Sequence, residues 1–281
     1  MIKVVSTGLQ TSIQDLGRYG YRYIGVPCSG TMDKKSAVLA NHLLGNDATA
    51  PLLEFGHQGP VLQFMEDTEI AITGAGFNPS VSGELFALNK RLFIEKGSVM
   101  SFGLASSGVW AYIAVRGGFL VERVLQSSSF HSLISPELSI QKGTVLKNKA
   151  FEKRINRKNA VLRASTHYFK QHEIEVYRGP EFATLNKSHQ RELAISAFTI
   201  SGQSNRMATV LDHKLKLSAP EIITSAVQPG TVQLTPSGKM LVLMRDAQTT
   251  GGYARVLQLT EEAISILSQK RTGDSVVFKL L

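Results

Sequence analysis

GSVMSFGLASSGVWAYIAVRGGFLVERV (97–124) and GTVQLTPSGKMLVLMRDAQTTGGYARVLQL (230–259) decide how this chain is read. Each opens on Gly, Ser or Thr, and Val, passes a Ser-Gly pair, and enters an apolar run closed by an arginine. Each then reaches Gly-Gly-aromatic and a further apolar run. Short apolar runs bounded by glycine and serine are strand signals. One such pattern in each half of the chain predicts two related β-barrels. Two unrelated hairpins that agree over this window are the alternative. The second copy carries extra polar residues, Asp246, Gln248, Thr249 and Thr250, ahead of its glycine pair.

The same punctuation runs outward from these copies. Strands are expected at 3–6, 61–64, 69–73, 91–94, 99–102, 109–116, 173–177, 198–200, 232–234, 240–245, 254–259 and 275–280. Helical pattern is scarce. The segment 32–44 is one candidate, with Ser29 or Thr31 as cap, Asp33 in the first turn and Gly45-Asn46 at its end. Segments 180–193 and 261–269 are the others. The chain divides in this reading into 1–150 and 151–281, with the basic stretch near 146–172 between the halves.

Composition excludes several classes. The 281 residues, 43 % hydrophobic and 19 % charged, describe an ordinary globular protein with a full-sized core. The longest apolar runs, 109–115 and 241–244, fall far short of the ~20 residues that span a bilayer. The amino terminus reads as a strand without the apolar block of a secretory signal, and there is one cysteine. A reducing, cytoplasmic setting without a membrane follows as the expectation. The net charge of +9 concentrates in 142–170. No zinc spacing, helix-turn-helix pattern or stacking aromatics accompany it, so a solvated linker or a face for an acidic partner is expected rather than nucleic acid.

Polar residues gather at three places. The run SIQDLGRYGYRYIGVPCSGTMDKKSAVLANHLLGN (12–46) sets Gln14, Asp15, Arg18, Ser29, Asp33 and Asn41 among glycines and a proline, which suits a shaped polar surface. Asp15 and Arg18 stand three apart, so one orients the other towards a ligand, or the pair pins the loop. Asp33 is either a site residue or a helix-start acid. The strand leaving 240–245 delivers Asp246, Gln248, Thr249 and Thr250 onto Gly251-Gly252, a turn able to hold an oxyanion or simply to satisfy its own backbone. Arg206, in SNRM, is a fork for carboxylate or phosphate, or half of a structural ion pair. Glu54, in PLLEFG, is a half-buried acid if that run is a strand, hence an anchor or a general base. Cys28 has no His or Asp at a diagnostic spacing and reads as inert, and the scattered histidines offer no metal spacing.

Taken together, 12–46, VLMRDAQTTGGYARV, AYIAVRGGF, YRGPEF and LSQKRTGDSVVFKL resemble the family of 5-oxoprolinase C subunits. That family includes the kinase-inhibitor antagonist (KipA) and the biotin-dependent carboxyltransferase region of urea amidolyase, also called allophanate hydrolase subunit 2. The chain departs from its pattern at Asn205 and Val210, and at 126–131, where Ser128 stands in place of an arginine. The resemblance implies a mainly β fold, two cyclophilin-like β-barrel subdomains with a few short helices. It implies catalytic roles for Asp15, Asp246 and Glu54. Substrate binding would fall to Gln14, Arg18, Ser29, Asp33, Asn41, Arg206, Gln248, Thr249, Thr250, Gly251 and Gly252, with no metal. The implied activity is that of the C subunit of an ATP-dependent 5-oxoprolinase. It would work with a KipI-like B subunit and with an A subunit to open a lactam, 5-oxoproline, to glutamate, ATP being required by the complex rather than by this chain on its own. Two alternatives stand beside it. One is a biotin-dependent carboxyltransferase component acting on urea or another amide, with biotin on a separate carrier. The other is a non-catalytic protein that binds a kinase-inhibitor partner. Self-association into a homo-oligomer is left open.

Overall fold

The structure, a computed structural model, describes residues 1–149, 167–213, 217–219 and 222–281. The middle of the basic stretch, 150–166, lies outside the described residues. The chain forms two compact units, Met1–Arg18 with Asp33–Thr166, and Tyr19–Met32 with His167–Leu281. The second unit therefore borrows a segment from within the polar run of 12–46.

The first unit contains β1 (Ile2–Ser6), β2 (Gln10–Gln14), α1 (Lys34–Leu44), β3 (Leu52–Gly56), β4 (Val61–Phe64), β5 (Thr68–Gly76), β6 (Ser80–Val81), β7 (Glu84–Leu85), β8 (Arg91–Ile94), β9 (Val99–Ser101), β10 (Ser107–Val115) and β11 (Val145–Leu146). Six strands form one sheet in the order β11-β1-β4-β9-β6-β7, and five form another, β2-β3-β10-β5-β8. Ile2, Val4, Leu62, Phe64 and Met100 of the first sheet share one apolar cluster with Leu53, Phe55, Ile72, Ala111 and Ile113 of the second. Alternation along each strand sends these side chains inward. Phe55 packs its ring against Phe77 and Phe102 at 4.9 and 4.8 Å.

Helix α1 covers the other face of the five-stranded sheet. Ala37, Ala40, Asn41 and Leu44 are its buried stripe, at helical spacing. Its cap is Asp33, whose carboxylate accepts from Ser36 N–H, rather than Ser29 or Thr31. Those two belong to the other unit, where their backbone has a different task. Gly45, at φ 70°, ends the helix and donates to the carbonyls of Asn41 and His42.

The second unit contains β12 (Glu173–Arg178), α2 (Lys187–Ile195), β13 (Ala197–Ile200), β14 (Ala208–Asp212), β15 (Ser225–Ala226), β16 (Thr231–Leu234), β17 (Met240–Leu243), β18 (Thr250–Gly251), β19 (Ala254–Leu259), α3 (Glu261–Ser268) and β20 (Ser275–Leu280). Seven strands close a barrel in the order β12-β19-β16-β17-β14-β13-β20, the ring completed by the parallel pairing of β12 with β20. Ile174, Val176, Phe198, Val232, Met240, Val242, Val256, Val276 and Phe278 are buried at every second position of their strands. Strands β15 and β18 pair separately. The fold is mainly β with few helices, as the sequence predicts.

The internal echo holds for strand order and not for pairing. In the second copy β16 and β17 are antiparallel neighbours, Val232 opposite Val242. In the first copy β9 joins one sheet and β10 the other. The glycine pairs differ too. Gly117 and Gly118 adopt φ 78° and 79°, whereas Gly251 and Gly252 are absent from the left-handed region. No helix among the described residues is long and apolar enough to cross a membrane.

Candidate functional site

In the first unit Asp15 is held by a clamp. Its Oδ1 accepts from Gly17 N–H at 2.8 Å and from the Ser127 and Ser129 hydroxyls at 2.7 Å each, and its Oδ2 accepts from Ser128 N–H at 2.7 Å. Arg18, 1 % exposed, donates to the carbonyls of Val124 and Ser129 at 3.1 and 2.8 Å. Gln14 donates to Ser12 Oγ and to the Phe130 carbonyl. All three residues thus seize 124–130, the stretch in which the sequence departs from the family's pattern. The turn they grip is strained, because Leu125 and Gln126 sit at φ 51° and 64° between the paired Val124 and Ser127. Side chains with a Cβ rarely adopt that conformation, least of all twice in succession. Asp15 and Arg18 thus meet on the same distant stretch, through Ser127–Ser129 and through the carbonyls of Val124 and Ser129.

Glu54 lies in β3 with all five residues buried, and is 0 % exposed rather than half-buried. Tyr112 stands opposite both Glu54 and Thr73. The Tyr112 hydroxyl accepts from Asp33 N–H at 2.7 Å and donates to Glu54. Burial first, then the charges of Glu54 and Asp33, push the phenol well above its ordinary range, so it remains a donor. Thr73 completes the row by donating to the Ser36 carbonyl at 2.7 Å. Asn41 bridges the end of α1 to the carbonyls of Ala48 and Ala50 and accepts from Asn46. Its contacts are those of a loop anchor.

The second unit brings Ser29 together with Arg206 and Asp246. Arg206 grips Asp246 through Nε–Oδ2 at 2.7 Å and Nη2–Oδ1 at 3.0 Å, with both side chains mostly buried. The same Nη2 donates to the Gly30 carbonyl at 2.7 Å. Arg245, 3 % exposed, donates from Nε to the Thr31 carbonyl at 3.1 Å and forks onto both carboxylate oxygens of Glu261. Ser29 N–H returns a bond to the Arg245 carbonyl at 2.9 Å. The strap 29–31 is therefore tied at each of its residues. Arg22 adds a bond to the Val227 carbonyl and approaches Cys28 Sγ at 3.6 Å.

The 248–252 turn lies beside these groups. The Thr249 carbonyl accepts from Val227 N–H, and Thr250 and Gly251 pair with Ala226 and Ser225. Gln248 and Thr250 are exposed. At 252 close approach of backbone favours glycine, and at 251 a side chain would have to displace the end of Gln233. A Cβ at 251 would stand 2.6 Å from Gln233 Nε2, and one at 252 would stand 2.9 Å from the Ile223 carbonyl oxygen.

Several participants carried no role in the sequence reading. Ser127, Ser128 and Ser129 are separated from Asp15 by more than a hundred residues. Tyr112 reads as one more strand aromatic. Arg245 was legible as the charge that ends an apolar run, a position that demands a partner when buried. YRGPEF also gains a meaning. Gly179 lets the Arg255 carbonyl of β19 pass, where a Cβ would stand 2.1 Å from that oxygen, and Glu181 forks onto the Arg255 guanidinium. Among the described residues no cluster of His, Cys, Asp or Glu is arranged to hold a metal ion.

Relatives give the arrangement a family. The chain is 30 % identical to the 5-oxoprolinase C subunit of Escherichia coli over 99 % of its own length and 90 % of that protein. It superimposes on TTHA0988 with a TM-score of 0.88 at 29 % identity, covering 99 % of this chain and 55 % of that one. It superimposes on the urea amidolyase of Kluyveromyces lactis with a TM-score of 0.89 at 25 % identity, covering 100 % of this chain and 18 % of that one. It thus spans about half of one solved relative and less than a fifth of the other. The carboxyltransferase domain, subdomain A and B, matches residues 24–280, and the chain belongs to that family.

Proposed function

We propose that this protein is the C subunit of an ATP-dependent 5-oxoprolinase, acting with A and B subunits to hydrolyse the lactam of 5-oxoproline to glutamate. The observation that carries this reading is extent. The chain matches nearly all of a bacterial C subunit, end to end, while it matches only a small part of the amidolyase. The geometry supports a site on the second unit around Asp246. Arg206 fixes that carboxylate in one orientation, as a proton-transferring group at the lactam must be fixed. The hydroxyls of Thr249 and Thr250 stand next in the chain, on the same turn.

The donor set here does not fit a nucleotide phosphate, since Arg206 and Arg245 each fork onto a carboxylate of the same unit. We therefore assign the ATP chemistry to the partner subunits. On this assignment Asp15, Arg18, Gln14 and Asn41 shape the first unit, and Glu54 anchors α1 through Tyr112. Asp246→Asn tests it. Glutamate release by the co-purified complex, compared at equal amounts of folded protein, should fall at least a hundredfold, while loss of the Arg206 partner lowers the melting temperature of this chain. Undiminished release would remove Asp246 from the mechanism.

A second reading, carboxyl transfer from biotin on a separate carrier, is favoured by the full-length superposition on the amidolyase. It requires a biotinylated partner and bicarbonate. ATP-dependent turnover of 5-oxoproline without either would exclude it.

A further inference from the structure

We infer that the strap 29–31 of the second unit is a binding site for a neutral carbonyl group, with the hydroxyls of Thr31 and Ser29 as its hydrogen-bonding groups. The inference rests on the proposed lactam chemistry for its choice of ligand and on the strap itself for its place.

Three observations converge. The first is backbone conformation. Ser29 and Gly30 lie at φ 54° and 93°, consecutive left-handed residues of which one carries a side chain. Such a conformation persists where surrounding contacts impose it, and here they do. Ser29 N–H is bonded to the Arg245 carbonyl, the Gly30 carbonyl to Arg206, and the Thr31 carbonyl to Arg245.

The second is unmet hydrogen-bonding capacity. Ser29 is 1 % and Thr31 0 % exposed, yet neither hydroxyl has a hydrogen-bonding partner among the described residues. Buried hydroxyls nearly always find one, and leaving one unmet is costly. Two on alternate residues of a strap pinned once at each residue are best explained as groups kept for a ligand.

The third is charge. Both guanidiniums that hold the strap are neutralised in place, Arg206 by Asp246 and Arg245 by Glu261. These two guanidiniums therefore have little net positive charge to offer a carboxylate or phosphate, and Arg22 faces the Val227 carbonyl and Cys28 Sγ. A hydroxyl both donates and accepts. Two of them match an amide or lactam, which presents a C=O acceptor and an N–H donor. The reacting amide, rather than the ligand's carboxylate, would sit here, on the strap that Arg206 ties to Asp246.

Thr31→Val keeps the shape and removes the hydroxyl, and Ser29→Gly removes the other while suiting the left-handed backbone. Because neither hydroxyl is bonded within the protein, both variants should melt at or above the wild-type temperature. The probe is 2-pyrrolidinone, a lactam without a carboxylate, titrated into the full chain and followed by backbone amide shifts, with inorganic phosphate as the competing anion. The lactam should shift the amides of Ser29, Gly30 and Thr31, and Thr31→Val should weaken its binding about tenfold. Four outcomes overturn the inference: no lactam binding by the wild type, unchanged binding by both variants, destabilised variants, or phosphate preferred at the strap. Lactam binding that Thr31→Val weakens, in a complex that does not turn over 5-oxoproline, would instead sink the proposed function and leave the site standing.

Discussion

At Tyr112 a single phenol serves two buried groups, accepting from the first helical cap and donating to Glu54. Phenylalanine would keep the ring and withdraw both bonds from a fully buried site. We expect Tyr112→Phe to cost about 1–3 kcal/mol in urea unfolding, with the slope of the transition unchanged. Glu181 and Arg255 make a second residue-scale prediction. The guanidinium bonded to Glu181 holds its carboxyl below the ordinary value of 4.5. A depressed carboxyl stabilises the fold above that value and loses its effect as the pH falls through the folded one. The stability gap between wild type and Glu181→Gln should therefore be constant near neutrality and close progressively below pH 4.5. A gap that persists in acid would mean that packing, not charge, holds the pair. Neither partnership was readable in the chain. Tyr112 and Glu54 meet only through strand register, and Glu181 and Arg255 are 74 positions apart.

Elements were more legible than partners. The strands at 61–64, 91–94, 254–259 and 275–280 coincide with β4, β8, β19 and β20, because each combines apolar or β-branched residues with flanking turn formers. What the residues could not announce is pairing. The two echoing segments read alike, yet one folds as a hairpin and the other is divided between sheets. The cap of α1 was misplaced by a few residues for a related reason. Ser29 and Thr31 are good caps locally, but the arginines of the second unit claim their backbone. At Gly179 the crossing of β12 towards β19 leaves no room for a side chain. Gly179→Ala should destabilise the barrel by about 3 kcal/mol, read as a lower melting temperature. A silent substitution there would show that β19 can retreat.

For the whole molecule the decisive fact is connectivity. The second unit includes Tyr19–Met32, so a cut at residue 150, where the sequence suggests a boundary, leaves that unit without its strap. In such a fragment Arg206 and Arg245 lose the carbonyls of Gly30 and Thr31. We expect residues 151–281 alone to unfold less cooperatively and at a lower temperature than the full chain, and a linked 19–32 segment to restore the loss. Equal melting of both fragments would show that the strap contributes nothing to the barrel. The candidate site follows the same division. Asp246, Arg206 and Ser29 were visible as motif residues, whereas the backbone bonds that tie 29–31 to Arg206 and Arg245 became legible only in the fold.

That excursion of 19–32 also bears on inheritance. The polypeptide passes between the units at Arg18/Tyr19, Met32/Asp33 and Thr166/His167. A gene rearrangement that broke the reading frame midway would hand one descendant the arginines and the other the carbonyls they hold. Neither half could travel alone without rebuilding those contacts. The pair should therefore move between genomes, and into larger fused proteins, as a single indivisible cassette.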